Sequence, residues 1–209
     1  HILEKEYGNL SETGKDYFKR MQSAAERMQA LINDLLTYSR TSDQDDKLES
    51  LDLDEIVKEV EADLQEEVQT SKAVIQFNQL GKIHAIPFQV RQLVYNLVSN
   101  SLKFSDPMRA AVISIKSRMV KGSELAHGSL VPDQEYYHIS IADNGIGFDQ
   151  VYSEKIFELF QRLHPQDKYK GTGIGLAIVK RIVENHKGIV TVSSAINQGT
   201  TFNVYLSAF

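Results

Sequence analysis

Apolar residues recur at three- and four-residue spacing between Thr13 and Arg40, a pattern that predicts one long amphipathic helix. Ser11 or Thr13 can cap its start, and residues 2–7 are typical of the end of another helix, turned at residues 8–9. The two segments would form a helical hairpin. A long apolar stripe must be covered, and because the first helix is so short, the covering partner can be another chain.

A polar, charged and aperiodic stretch from Thr41 to Ser50 separates this hairpin from the rest of the sequence. We therefore predict a partial helical hairpin over residues 1–41 and a linker over residues 42–50. A second, larger domain is expected over residues 51–209.

Periodicity in the second domain alternates between helical and strand spacing. Helices are expected at 53–64, 87–102 and 174–186, and strands at 74–77, 83–86, 112–119, 137–142, 189–194 and 201–206. Because the helices mix with mostly hairpin-linked strands, the pattern favours an α+β fold, a two-layer α/β sandwich.

The composition suits one main core, with 209 residues of which 42% are hydrophobic. The absence of cysteine excludes disulfides and thiolate metal sites, and the net charge of −5 argues against non-specific binding of nucleic acid. We find no apolar run near eighteen residues, and expect a cytoplasmic piece of a longer protein, because the sequence enters helix-like residues directly at His1. The sequence leaves open whether sensor or membrane segments precede it.

Three polar constellations carry the candidate chemistry. In the first, Asn96, Asn100 and Lys103 lie at i, i+4 and i+7 on one helix face. An amide oxygen can ligate Mg²⁺, and an ammonium can neutralise a phosphate. Such a stripe is also common on solvated helix faces.

The second constellation is Asp143-Asn144-Gly145-Ile146-Gly147, at the end of a predicted strand. A carboxylate there can accept a hydrogen bond from an exocyclic amine, and glycines allow the backbone to approach a flat ligand. An ordinary turn is the alternative.

The third constellation is Gly171-Thr172-Gly173-Ile174-Gly175-Leu176, a glycine-rich loop that opens a helix and can present backbone N–H groups to phosphate. It lacks the GK[ST] ending of a P-loop and follows no predicted strand, which excludes the P-loop and Rossmann alternatives.

The order of these constellations is more informative than any one of them. Together with the segment 156–160 and the segment Gly199-Thr200-Thr201-Phe202, they resemble the motifs of histidine-kinase ATP-binding domains. The helix 13–40 resembles the second helix of that family's dimerisation and phosphotransfer hairpin. The stretch 160–164 is similar to lids in phytochrome-like and related cytoplasmic sensor kinases.

The resemblance implies an ATP·Mg²⁺ site of the Bergerat type. Asn100 would ligate Mg²⁺, Asn96 and Lys103 would contact phosphates, and Asp143 would read the adenine amine. Arg162 and Lys103 would stabilise charge during phosphoryl transfer. The remaining residues would shape the base pocket, hold a water or close on the phosphates: Gly145, Gly147, Gly171, Thr172, Gly173, Gly175, Leu176 and Thr200. We expect Phe157 and Phe160 to anchor a mobile lid in the core.

As a protein histidine kinase, such a domain transfers phosphate to a histidine and thence to an aspartate of a response-regulator receiver domain, and the intact protein forms a homodimer. No histidine here matches the phosphoacceptor motif, so this piece is expected not to phosphorylate itself. His84, His138 and His186 are expected to be structural.

Two alternatives share the nucleotide fold. A clamp-type ATPase would need a catalytic carboxylate on the helix that carries Asn96, where the sequence has Tyr95-Asn96. The third possibility is a catalytically silent relay module. The glycines and Asn100 are all present, which argues against it, because such a module would not need them. Nucleotide titration and phosphotransfer separate the three.

Overall fold

The long helix is the first element of the computed structural model, which describes residues 7, 10–41, 47–124, 130–163 and 171–208. Helix α1 spans Glu12–Arg40, and the Ser11 hydroxyl accepts a hydrogen bond from the Gly14 N–H at 3.1 Å. The predicted helix is confirmed, with Ser11 as its cap. The predicted turn at residues 8–9 and residues 2–6 lie outside the described part.

A five-stranded sheet forms one layer of the second domain, in the order β2-β4-β5-β7-β6. The strands β2 and β4 are parallel, and the other neighbours are antiparallel. The bounds are Val74–Gln76 for β2, Val112–Lys121 for β4, Glu135–Asp143 for β5, Ile189–Ala195 for β6 and Gly199–Ser207 for β7. The predicted terminal hairpin is the β6–β7 pair.

Helices form the second layer. Their bounds are Leu53–Asp63 for α2, Gln65–Ser71 for α3, Pro87–Lys103 for α4 and Gly175–Asn185 for α5. Leucines and valines of α4, such as Leu93 and Leu97, are fully buried in one cluster with Ile139 and Ile141 of β5. Alternate strand residues thus face the helices, and the predicted two-layer α/β sandwich is confirmed.

A second, two-stranded sheet differs from the sequence expectation. Strand β1, Glu49–Asp52, pairs antiparallel with β3, Lys82–Ala85. Residues 49 and 50 were expected in the linker because they are polar and lack a strand pattern. Their ladder to β3 fixes them instead, and the Asp52 side chain caps α2 by accepting from the Asp54 N–H at 3.0 Å.

Near its C-terminal end, helix α1 packs against α5 in the two-layer domain of residues 51–209, here called the catalytic layer. Thr41 is fully buried, and its carbonyl accepts a hydrogen bond from the Asn185 amide at the end of α5. The Arg40 guanidinium lies 4.2 Å from the centre of the Phe88 ring. The other side of the helix carries exposed apolar residues: Tyr17, Met21, Met28, Ile32, Leu35 and Leu36.

Two of the histidines expected to be structural are so. The buried His186 ring accepts from the Ile86 N–H at 3.1 Å, and burial lowers its pKa. His138 stacks on Tyr205 with ring centres 4.5 Å apart. His84 is exposed on β3, which contradicts the expectation, because alternation along that strand turns Ile83 inward instead. His1, His127 and His164 lie outside the described residues.

Among the described helices, none combines the length and the apolar character needed to cross a bilayer.

Candidate functional site

The predicted site residues converge on one cavity of about 320 Å³ between α4, the end of β5 and the glycine-rich loop before α5. Gly145 is the exception: it lies just behind the wall, buried beside Asp143. The predicted residues that line the cavity are Asn96, Asn100, Lys103, Asp143, Gly147, Arg162, Gly171, Thr172, Gly173, Gly175, Leu176 and Thr200.

Asp143, the last residue of β5, is held at the base of the cavity by three donors. Its Oδ1 accepts from the N–H groups of Gly145 at 2.8 Å and Thr200 at 3.2 Å. Its Oδ2 lies 3.2 Å from the Ser101 hydroxyl. Two donors on one oxygen leave Oδ2 less saturated, so this oxygen can accept from a ligand amine.

Burial raises the pKa of the Asp143 carboxyl above its ordinary value. The hydrogen bonds from Gly145, Ser101 and Thr200, together with the positive charge of Arg109, oppose that rise. These donors favour the ionised form, which is the form that accepts hydrogen bonds with both oxygens.

Two cations, Lys103 and Arg162, line the cavity beside the glycine-rich loop. The Arg162 guanidinium donates to the Gly171 carbonyl at 2.6 Å. A Cβ on Gly171 would stand 2.5 Å from the Lys103 ammonium, so the ammonium lies directly against the loop. Burial, and then the charge of Arg162, lower the pKa of Lys103. Two like charges brought together in a partly buried site favour a polyanionic ligand.

Asn96 and Asn100 of α4 line the same cavity. The Asn96 Nδ2 is buried and has no hydrogen-bond partner among the described residues. A Cβ on Gly175 would approach the Asn96 Oδ1 to 3.2 Å, so α5 begins in close contact with this amide. A buried amide without a partner is costly, and a phosphate oxygen or a metal-bound water would satisfy it.

Two glycines of the site combine a positive φ with too little space for a side chain. Gly147 has φ +60°, and a Cβ there would collide with the Ala195 carbonyl. Gly173 has φ +79°, and its Cβ would lie 2.8 Å from the Phe160 carbonyl carbon. Glycine is therefore required at both positions by neighbouring backbone, and the close approach to a ligand stays a prediction.

Thr200 ties the cavity floor to the terminal hairpin. Its N–H donates a hydrogen bond to the Asp143 carboxylate, and its hydroxyl lies 3.0 Å from the Ser194 hydroxyl. The Ser194 hydroxyl in turn accepts a hydrogen bond from the Phe148 N–H at 2.9 Å. Its predicted role in holding a water stays a prediction.

The aromatic segment before the lid differs in part from expectation. Phe157 is buried and meets Phe202 edge to face, with ring centres 6.4 Å apart. Phe160 is 61% exposed and has φ +63°, so the prediction that it anchors the lid in the core is wrong. Its N–H instead donates to the Gly173 carbonyl at 2.9 Å, and this bond turns the side chain outward.

Three contributing residues were missed from the sequence. Ser101 of α4 contacts Asp143 through its hydroxyl. Arg109 donates to the carbonyls of Gly145 at 2.6 Å and Asn197 at 2.9 Å, and these bonds fix the turn that follows Asp143. Asp34 reaches the cavity from α1 and accepts from the Thr172 hydroxyl. These contacts join residues that lie far apart in the sequence, so the spacing of neighbouring residues could not predict them.

Comparison with known proteins supports one class. Residues 85–208 match the family described as histidine kinase-, DNA gyrase B-, and HSP90-like ATPase, and residues 1–44 match the His Kinase A (phospho-acceptor) domain. The phytochrome-like protein Cph1 of Synechocystis sp. is 33% identical over 202 residues, which are 96% of this chain and 25% of that protein. The chain spans about a quarter of the length of the curated relatives it matches.

Two solved structures share the fold. The full-length structure of ShkA in complex with AMPPNP superposes with a TM-score of 0.70 at 22% identity, over 97% of this chain and 41% of that one. Histidine kinase ThkA in complex with the response regulator TrrA gives 0.66 at 17% identity, over 100% of this chain and 56% of that one.

The chain therefore belongs to the family of histidine kinase-, DNA gyrase B- and HSP90-like ATPases. Its His Kinase A match and its relatives identify it, within that family, as the ATP-binding catalytic region of a two-component sensor histidine kinase.

Proposed function

We propose that this chain binds ATP·Mg²⁺ in the cavity and transfers the γ-phosphoryl group to a histidine of the phosphotransfer hairpin. The observation that carries the proposal is one cavity that combines a partly buried carboxylate, Asp143, with two cations, Lys103 and Arg162, beside the glycine-rich loop. An adenine amine needs an acceptor and a triphosphate needs positive charge, and the cavity supplies both.

Adenine would lie beside Asp143, with its exocyclic amine donating to the carboxylate. The backbone of Gly147, which admits no side chain, would border the base. Arg109 supports this end from behind by holding the Gly145 carbonyl.

The residues near α4 suit Mg²⁺ and phosphate. Asn100 offers an amide oxygen of the kind Mg²⁺ accepts alongside phosphate oxygens and waters, and the partnerless Nδ2 of Asn96 offers a donor for a phosphate oxygen. Bound Mg²⁺ would neutralise charge on the phosphates. Lys103 and the N–H groups of the glycine-rich loop would hold the same phosphates.

Arg162 is the residue proposed to act in the transfer step. We expect Arg162→Ala to lower the rate of phosphoryl transfer about 100-fold, because a cation facing the transferring group is worth several kcal/mol. Its effect on ATP affinity should stay below about threefold, since Lys103 and the loop still hold the phosphates. Lys155→Ala, which removes an exposed cation from the same region, is the matched control.

The measurement is transfer of γ-labelled phosphate from ATP to a His Kinase A hairpin that carries a phosphoacceptor histidine and is added in trans. Acid-labile label on the hairpin supports a kinase. Release of inorganic phosphate without labelled hairpin would favour a clamp-type ATPase, and bound ATP with neither product would favour a relay module.

The partners of the whole protein follow from this activity. A response-regulator receiver domain would accept the phosphate from histidine on an aspartate, and the fold shared with ThkA, whose structure contains a response regulator, supports that partnership. A homodimer of the intact protein would cover the exposed apolar side of α1. For the cell compartment, we propose the cytoplasm, where response regulators and ATP are available.

A further inference from the structure

A side chain from the long helix α1 reaches the cavity beside the glycine-rich loop. Ala30 and Asp34 of α1 line the cavity wall beside Tyr95 and Thr172. The Thr172 hydroxyl donates a hydrogen bond to the Asp34 carboxylate across 138 residues of sequence. The helix is therefore bonded directly to the loop that is proposed to hold the phosphates.

The Thr172 hydroxyl has one hydrogen to donate. Its oxygen also accepts from the Ile174 N–H at 3.3 Å, which orients the hydroxyl at the start of α5. While the hydrogen points to Asp34, it cannot be given to a phosphate oxygen. Contact with the helix and contact with a phosphate are mutually exclusive at this atom.

The charge of Asp34 acts in the same direction. Burial first, and then the negative charges of Glu67, Asp63 and Asp34, raise the pKa of the Tyr95 hydroxyl, while the positive charge of Arg91 opposes the rise. Lys103 and Arg162 supply positive charge to the same loop at the neighbouring Gly171. A triphosphate carries several negative charges, and a carboxylate at the wall repels them.

The docked helix holds Asp34 in place. The Asn185 amide bonds the Thr41 carbonyl, Arg40 stacks on Phe88, and Leu31 and Tyr38 pack against the core of the catalytic layer. Asp34 lies on the side of α1 that makes these contacts, so it leaves the cavity only if the helix or its side chain moves.

We propose that the Asp34–Thr172 contact is an autoinhibitory link, in which docked α1 and the phosphates of ATP compete for the Thr172 hydroxyl. ATP then favours release of α1 from the catalytic layer, and undocking of α1 raises ATP affinity by the same factor. This inference rests on the proposed function, because it requires ATP in this cavity.

The test is a calorimetric comparison of ATP and adenosine binding in the whole chain. We expect Asp34→Ala to raise ATP affinity by about 5- to 100-fold, the range of ordinary coupling between sites. Adenosine, which has no phosphate, should bind Asp34→Ala and the unchanged protein equally within about twofold. The matched control is Glu26→Ala, which removes an exposed carboxylate of the same helix that accepts a hydrogen bond from the Gln22 amide.

Two further variants separate charge from hydrogen bonding. Asp34→Asn keeps the size and an acceptor oxygen and loses the charge, so it should raise ATP affinity less than Asp34→Ala. In a Thr172→Val background, Asp34→Ala should raise ATP affinity less than it does in the unchanged protein, because the Thr172 hydroxyl hydrogen is absent. A non-additive cycle of this kind measures the link itself.

Hydrogen exchange gives the reciprocal measurement. ATP should speed amide exchange along residues 30–40 in the unchanged protein, and Asp34→Ala should show fast exchange there without nucleotide. If the unchanged protein binds ATP and Asp34→Ala binds it equally or more weakly, the link is overturned while the proposed function stands; weaker binding would indicate that Asp34 assists the nucleotide. If the unchanged protein binds no ATP, the proposed function fails first.

Discussion

At the scale of single residues, Asp143 has the most constrained environment in the site. Its carboxylate ends a buried strand, accepts from two backbone N–H groups and faces the Ser101 hydroxyl. Burial nevertheless raises its pKa. A charge kept in such a place at a cost to folding indicates that a ligand uses it.

Replacing Asp143 by asparagine should separate folding from binding. Because the folded pKa lies above the ordinary 3.8, the folded state binds this proton more tightly than the unfolded chain does. The ionised carboxyl therefore costs stability, and the cost sets in as pH rises from 3.8 through the folded pKa. We expect Asp143→Asn to unfold in urea at pH 7 at a concentration equal to or above that of the unchanged protein, with the difference vanishing at low pH.

The same substitution should damage binding. The amide that replaces Oδ2 presents a donor to the adenine amine, so ATP affinity should fall about 10- to 100-fold, the value of a charged hydrogen bond. Calorimetry checks this, with Asp133→Asn, which removes an exposed carboxylate elsewhere in the domain, as the control for loss of a charge. A variant that is clearly less stable at pH 7 yet binds ATP normally would contradict the assigned role.

At the scale of elements, sequence periodicity predicted each long segment because its pattern reflects one buried face. Helices α1, α4 and α5 and the hairpin β6–β7 were predicted within one or two residues. Strand β1 was missed, since its polar residues are held by a ladder to β3 that no local pattern encodes. Phe160 was misplaced for a similar reason: a backbone bond to Gly173 decides where it points.

Helix α1 is fixed at its C-terminal end by an amide with both hydrogens in use. The Asn185 Nδ2 donates to the Thr41 carbonyl and, at 3.1 Å, to the Gln89 Oε1. Thr41 and Gln89 are fully buried, so their oxygens would lose their partner without gaining water.

Asn185→Ala should therefore cost about 1–3 kcal/mol in the free energy of unfolding, the penalty for a buried acceptor left without a partner. It should also speed hydrogen exchange near the end of α1, because the helix loses its attachment. Glu184→Ala, at the exposed neighbouring position, should change neither quantity. Urea denaturation and exchange measurements decide, and equal stability of both variants would show that the helix is held by other contacts.

At the scale of the whole molecule, α1 has two different sides. One side carries Ala30, Asp34, Tyr38 and Thr41 toward the catalytic layer. The other leaves large apolar residues in water, such as Leu35 at 55% exposure. The sequence predicted the amphipathic stripe and the three polar constellations, but it could not predict that Asp34 meets Thr172, because that contact depends on how the helix docks.

The exposed side should mediate dimerisation of the intact protein. We expect Leu35→Glu to convert a dimer into a monomer in sedimentation equilibrium, because a charge in the apolar seam would be buried without a partner. Ser23→Glu adds the same charge at an exposed position on a different face of the helix and should leave the dimer intact. Dimerisation that survives Leu35→Glu would place the interface elsewhere.

The central claim, that the cavity binds ATP·Mg²⁺ with its base at Asp143, is tested most directly by calorimetric titration with ATP and AMPPNP, with and without Mg²⁺. The account predicts Mg²⁺-dependent binding that Asp143→Ala abolishes and that loses its dependence on Mg²⁺ in Asn100→Ala. Absence of binding at millimolar nucleotide, or binding that neither substitution changes, would contradict it.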